Sequence, residues 1–251
     1  MSKIVSVHSF RGGTGKSNTT ANLAALLAME GFRVGVVDTD IQSPGIHVLF
    51  GMDESDMEHS LNDYLWGKCD IKDTAHDVTG RLGAEIKGQI FLIPSSIKAG
   101  EIARILREGY DVGLLTDGFR DLANKMNLDY LLIDTHPGLN EETLLSIAIS
   151  QILVIIMRPD SQDYQGTAVT VDVARKLDVP NMLMIVNKVP QAFEAEDVRD
   201  RVENSFKCDV AAVIPHSEEM MTLASSGIFS LHYPDHPVTK EFKGLIDLVK
   251  S

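Results

Sequence analysis

Residues 10–17 read Phe-Arg-Gly-Gly-Thr-Gly-Lys-Ser, an order of residue types suited to holding a phosphate chain. Glycines at 12, 13 and 15 let the backbone turn so that successive N–H groups converge on an anion. An apolar run precedes the loop and a helix-period run follows it. The loop therefore opens a helix N-terminus, whose partial positive charge favours phosphate. Gly12, Gly13, Thr14 and Gly15 are expected to form the cradle, and Lys16 to reach the β- and γ-phosphates. Ser17, followed by Asn18 in the same first turn, offers a hydroxyl to Mg2+.

Acids appear where such a site needs them. The apolar run ending at Val37 is followed by Asp38-Thr39-Asp40, and the run ending at Ile133 by Asp134. Carboxylates at the C-terminal ends of strands beside a phosphate-loop strand face phosphate and metal. His136, in the turn 136–139 (His-Pro-Gly-Leu), reads as an ordinary loop histidine rather than a contact to phosphate or partner. A third strand-like run ends in Asn187-Lys188. A guanine-reading Asn-Lys-x-Asp would place an acid at 190, where this chain has proline, so adenine is favoured over guanine.

Alternating elements must carry these groups. Strand-like runs fall at 3–9, 34–37, 89–93, 130–133, 151–157, 182–186 and 210–214. Helix-period segments fall at 18–30, 100–109, 118–126, 141–148, 164–177, 192–207 and 239–249. Several strands are unbroken Val/Ile/Leu runs, as expected when both faces of a parallel sheet are covered. The pattern predicts an α/β fold: a doubly wound, mostly parallel sheet with helices on both faces. No repeat, linker or shift of composition divides the chain, so one domain over 1–251 is expected, with an irregular insertion around 52–87.

The loop departs from a strict phosphate loop, whose first glycine would stand at Phe10. With the Asp38–Asp40 box, Asp134 and Asn187 following in order, it resembles the deviant Walker A motif of the ParA/MinD family of ATPases. The resemblance covers nearly the whole chain. It implies ATP and Mg2+ as cofactors, and slow hydrolysis used as a switch: an ATP-bound sandwich homodimer binds a surface and positions or segregates a cargo. An adaptor protein then stimulates hydrolysis and releases the dimer. It also implies that Asp38 supports the Mg2+ shell, Asp40 orients the attacking water and Asp134 binds Mg2+ through water. Asn187 would bond adenine, and Pro215 would lie in a loop closing over the base. The family motif opens with a lysine that crosses the dimer to the partner's phosphates, and Arg11 stands there instead. Absence of that lysine resembles the carboxysome-positioning, McdA-like subgroup and leaves Arg11 or Arg158 to act across the dimer.

Charge and composition narrow the surroundings. Lys plus Arg number 23 and Asp plus Glu 36, so the net charge of −13 repels nucleic acid and anionic lipid overall. Nonspecific DNA binding then requires a local patch. Arg199, Arg201 and Lys207 are interleaved with Glu196, Asp197, Asp200 and Glu203, and read as a solvated mixed face. Phe242, Leu245, Ile246 and Val249 form a helical stripe, expected to be the last core helix rather than a membrane anchor. Cys69 and Cys208 are far apart without a CxxC pattern, which excludes a disulfide scaffold and a cysteine-rich metal centre within one chain. No signal-peptide apolar region is present, and a cytoplasmic protein is expected. Two other classes fit the same motifs: an amide-forming ligase that phosphorylates a carboxylate, and a nucleotide sensor that hydrolyses little.

Overall fold

The computed structural model describes residues 2–251. Strands β1 (Lys3–His8), β2 (Arg33–Asp38), β3 (His76–Asp77), β4 (Gln89–Ile93), β5 (Tyr130–Asp134), β6 (Ile152–Met157), β7 (Asn181–Val189) and β8 (Asp209–Pro215) form one sheet. Their order is β3-β4-β2-β5-β1-β6-β7-β8. All pairs are parallel except the short edge strand β3 against β4.

The apolar runs are continuous because both faces are covered. Leu132, Val36 and Val154 point to one face, where they pack with α1 (Lys16–Met29) and, near the end of the chain, α10 (Pro237–Lys250). Their neighbours Leu131, Ile133 and Val37 point to the other, against α2 (Leu61–Leu65), α3 (Ala99–Glu108) and α4 (Gly113–Lys125). Further along that second face, Leu153 and Ile155 pack under α5 (Glu141–Ala148), α6 (Ser161–Lys176) and α7 (Ala195–Phe206). The period-2 alternation of strand side chains thus produces the doubly wound sheet expected from the sequence.

Two short helices, α8 (Glu218–Leu223) and α9 (Phe229–His232), precede α10. Phe242, Leu245, Ile246 and Val249 of α10 are buried in the same cluster as α1, so the apolar stripe belongs to the core. Among the described residues no helix is long and apolar enough to cross a membrane. Residues 52–87 hold 3-10 turns, α2 and β3, with Asp53, Ser60 and Asp70 each closing a capping box.

Strand order sets the site. β1 lies between β5 and β6, and β5 lies between β1 and β2, so the C-terminal ends of β1, β5 and β2 are adjacent. Loops leaving those ends meet at the place where open α/β sheets bind ligands.

Candidate phosphate and metal site

The loop after β1 enters α1 through Gly15, which has φ +103° and ψ 21°, a left-handed conformation that favours glycine. A Cβ at Gly15 would also run into the Asn187 amide. Gly13 has φ +74°, so the cradle contains two left-handed glycines in three residues. No side chain caps α1, and its first turn carries no acid. Its leading N–H groups therefore remain available to an anion. Lys16 is buried, and the Thr14 hydroxyl is buried without a partner. Beside the loop lies a cavity of about 580 Å³, lined by Gly15, Ser17, Asn18, Pro215, Met220 and Met221 among others. That volume suits a nucleotide-sized ligand.

The end of β7 props the loop from one side. Asn187 donates its amide to the Thr14 carbonyl at 2.7 Å, and Lys188 donates to the Gly13 carbonyl at 2.8 Å. The Asn187 carbonyl oxygen accepts the Lys188 N–H at 2.8 Å. Asn187 is thus engaged with the loop backbone and its own neighbour.

Asp38 and Asp134 stand in register on β2 and β5. They are 1% and 2% exposed, and neither forms a salt bridge among the described residues. Burial, reinforced by the charge of Asp134, holds the Asp38 carboxyl well above the usual carboxylate range. N–H groups of Asp40 at 3.0 Å and Gly45 at 3.2 Å partly oppose that rise. Burial lifts Asp134 to about 6 against the opposing charge of Lys16. Asp134 also accepts from the Thr20 hydroxyl at 3.3 Å. Two buried acids that the chain leaves without a paired cation, next to a serine hydroxyl and a phosphate cradle, fit Mg2+. Among the described residues no cluster of three or more His, Cys, Asp or Glu could cage a metal unaided. The donor set therefore suits an ion that takes most of its ligands from phosphate and water.

Asp40 lies two residues beyond the end of β2. Its Oδ1 accepts from Nδ1 of His136 at 2.6 Å and from the Ser43 N–H at 3.1 Å. The sequence suggested an ordinary loop histidine at 136; the structure brings it to Asp40, because Asp38 pairs with Asp134 and Asp40 and His136 each follow by two residues. Behind them His8 is fully buried. The Thr135 hydroxyl donates to the Val7 carbonyl, so it accepts from Nδ1 of His8 at 2.8 Å. Burial and then the nearby Lys16 charge push His8 down to about 3, which keeps the ring neutral.

Arg11 and Arg158 converge on one pair of acids. Arg11 reaches Asp163 at 3.2 Å and Asp160 at 3.5 Å. Arg158 reaches Asp160 at 3.1 Å and Asp163 at 3.3 Å. Asp160 also caps α6, accepting from the N–H groups of Gln162 and Asp163. Phe10 lies against Gly166 of α6, where a Cβ would run into its ring. Neither acid was singled out from the sequence. On the helix α7, Arg199 donates to the Val210 carbonyl and Arg201 lies 5.2 Å over the Tyr164 ring.

Comparison with known proteins agrees with this fold. Residues 2–186 match the model of a family described as AAA domain. An uncharacterized ATP-binding protein of Methanocaldococcus jannaschii is 26% identical over 250 residues, covering 98% of this chain and 87% of that protein. The septum site-determining protein MinD of Pyrococcus horikoshii, solved with Mg-ADP, superposes with a TM-score of 0.80 at 21% identity. That match covers 100% of this chain and 97% of MinD. An aspartate-to-alanine variant of Cyanothece McdA in complex with ATP superposes with a TM-score of 0.79 at 19% identity, covering 99% and 96%. The fold of this chain is the fold of those proteins.

Proposed function

The chain belongs to the AAA domain family, and we propose that it is a Mg2+-dependent ATPase acting as a dimerisation switch that positions an intracellular cargo. The observation that carries this reading is the unpaired Asp38–Asp134 couple, set in register at the mouth of an uncapped glycine-loop helix.

In this reading Gly12, Gly13, Thr14 and Gly15 wrap the phosphates with backbone N–H groups, and Lys16 neutralises the β- and γ-oxygens. Ser17, Asp38 and Asp134 would hold Mg2+. When bound, Mg2+ supplies positive charge to the phosphate oxygens. Asp40 accepts a hydrogen bond from the water that attacks the γ-phosphorus. The bond from that phosphorus to the β–γ bridging oxygen breaks, and ADP and phosphate leave. Catalysis of this kind rests on positioning and electrostatics. Asn187 acts first as a strut for the loop, and Asn18 and Pro215 border the cavity that takes the nucleotide.

ATP is proposed to hold two copies together across the loop, with an adaptor protein stimulating hydrolysis. Septum-site determination by the MinD relative supports a positioning role. Arg11 or Arg158 supplies the cation that crosses to the partner, and whichever does so exchanges Asp160 and Asp163 for phosphate. Retention on nonspecific DNA is the surface mode favoured over membrane, since the α10 stripe is buried.

Mass in solution tests the switch. Light scattering is expected to read 27.5 kDa without nucleotide and twice that with ATP and Mg2+. Asp40→Ala should sharpen the dimer by stopping turnover. ATP binding with no change in mass would overturn the dimer and leave a nucleotide sensor.

A further inference from the structure

We propose that His136 is a positioning residue for Asp40: it immobilises one carboxylate oxygen so that the other is presented to the attacking water. The proposal rests on the ATPase reading above.

Asp40 is otherwise a weakly held side chain at the start of a loop. Its Oδ1 accepts two hydrogen bonds, from His136 at 2.6 Å and from the Ser43 N–H at 3.1 Å. Its own N–H is spent on Asp38 Oδ1 at 3.0 Å. Among the described residues Oδ2 makes no hydrogen bond to protein. One oxygen is therefore fixed and the other is free, which is the division of labour a water-orienting carboxylate needs. A carboxylate held on one side has its rotation about the Cβ–Cγ bond suppressed, and reach and direction at the reacting atom are what such a group contributes.

His136 is itself held. Pro137 follows it, which steers residue 136 toward extended backbone. The His136 carbonyl accepts from the Thr143 hydroxyl at 3.3 Å. On one side the Thr135 N–H and hydroxyl both bond the Val7 carbonyl, at 3.3 Å and 3.0 Å. On the other, the Gly138 N–H donates to the Ser9 carbonyl at 3.2 Å. The loop bearing His136 is thus pinned twice to the strand and turn that lead into the phosphate loop. Its ring is thereby set relative to the phosphate loop. An ionised carboxylate can only accept, so Nδ1 of His136 is the protonated nitrogen in this contact.

A wholly structural histidine would stabilise the loop without selecting a step. A positioning histidine acts on turnover through Asp40 and leaves ground-state binding alone. Single-turnover phosphate release and ATP affinity separate the two, measured for the wild type, Asp40→Ala, His136→Ala, His136→Asn and the double alanine variant. His136→Ala is expected to slow the chemical step about tenfold or more with ATP affinity changed less than about twofold. His136→Asn, whose amide donates from a similar reach, should recover much of the rate. In the Asp40→Ala background His136→Ala should add nothing. An unchanged rate in His136→Ala, an equal loss of affinity and rate, or a further slowing in the double variant would each overturn the proposal while leaving the ATPase reading intact. Normal turnover in Asp40→Ala, or a wild type that binds ATP and releases no phosphate, would remove the reading and the proposal together.

Discussion

Asp160 and Asp163, at the start of α6, have Arg11 and Arg158 bonded to both of them. Asp38 and Asp134, at the ends of β2 and β5, are as deeply buried as Asp163 and form no salt bridge among the described residues. Both couples border the phosphate loop, one flanking its first half and the other facing its second. Removing a carboxylate from water costs several kcal/mol unless a cation and hydrogen bonds offset it. Near Phe10 and Arg11 the chain supplies that cation itself, and the result is an internal fastening. Near Lys16 and Ser17 the buried acids form no salt bridge among the described residues; the Lys16 charge opposes the rise of Asp134 without cancelling it, and burial keeps both carboxyls raised. Buried acids alone do not suggest a metal site; buried acids that the fold compensates only in part, beside a phosphate cradle, are the ones proposed to take Mg2+.

The largest effect should come from the buried couple. Asp134→Asn removes a carboxyl whose ionised form burial disfavours, so the nucleotide-free protein is expected to melt higher than the wild type, while the extra stabilisation from Mg2+ with ATP disappears. In the wild type, saturation about a hundredfold above the dissociation constant adds about 2.7 kcal/mol, or roughly 5–10 °C for a chain of this size. The pH dependence has a definite sign. Asp134 is raised to about 6 in the folded state, against about 4 in an unfolded chain. Below about pH 4 it is neutral in both states and contributes nothing; between about 4 and 6 the unfolded chain ionises first and stability is lost. The melting-temperature gap between Asp134→Asn and nucleotide-free wild type should therefore open across that interval and stay open above it. A gap that is constant with pH, or a variant that keeps its Mg2+-dependent shift, would break the contrast between the two couples.

Much of this was legible before any coordinates. The loop, Asp38, Asp40 and Asp134 are local signals, because a strand end followed by an acid or a glycine turn is written in consecutive residues. The parallel sheet was legible because burial on both faces leaves unbroken apolar runs such as Ile152–Met157. Short elements were not: α9 has four residues and β3 two, too few to express a period. The helix at Gly113–Lys125 begins five residues before the apolar pattern suggested. Nor were long-range partners legible. Asp160 and Asp163 look like an ordinary helix start, and nothing local says that Arg11, about 150 residues earlier, completes them. Asn187 was found as a strand-end amide, but its bond to the Thr14 carbonyl depends on β7 and the loop meeting in space.

A smaller effect should follow from unfastening the neutralised couple. Asp163 is 2% exposed and accepts from both arginines and the Arg158 N–H, whereas the Asp160 side chain is 43% exposed. Asp163→Ala should cost about 1–3 kcal/mol by stranding the Arg158 N–H, the two guanidinium groups keeping Asp160. Loss of the exposed pairs in a variant that keeps an α6 cap, Asp160→Ser, should cost under about 1 kcal/mol. Denaturant titration orders the two. Equal losses would mean that exposure does not grade this couple, and that Asp163 is no more a structural anchor than Asp160.

The smallest expected effect asks whether the fastening depends on Phe10 as well as on charge. At Gly166 the three nearest atoms to a new Cβ all belong to the Phe10 ring, and nothing from another residue approaches as closely. Alanine in a helix is favoured over glycine by about 0.5–1 kcal/mol, but in the wild type it must displace that ring. Gly166→Ala is therefore expected to be neutral or slightly destabilising in the wild type, and stabilising in a Phe10→Ala background. The sign of the change is more informative than its size, since a ring that merely rests on α6 would swing aside and let the helix propensity show in both backgrounds. If Gly166→Ala stabilises both by the same amount, Phe10 contributes nothing to holding the loop, and the arginine–carboxylate network alone makes the first half of the phosphate loop the fixed half.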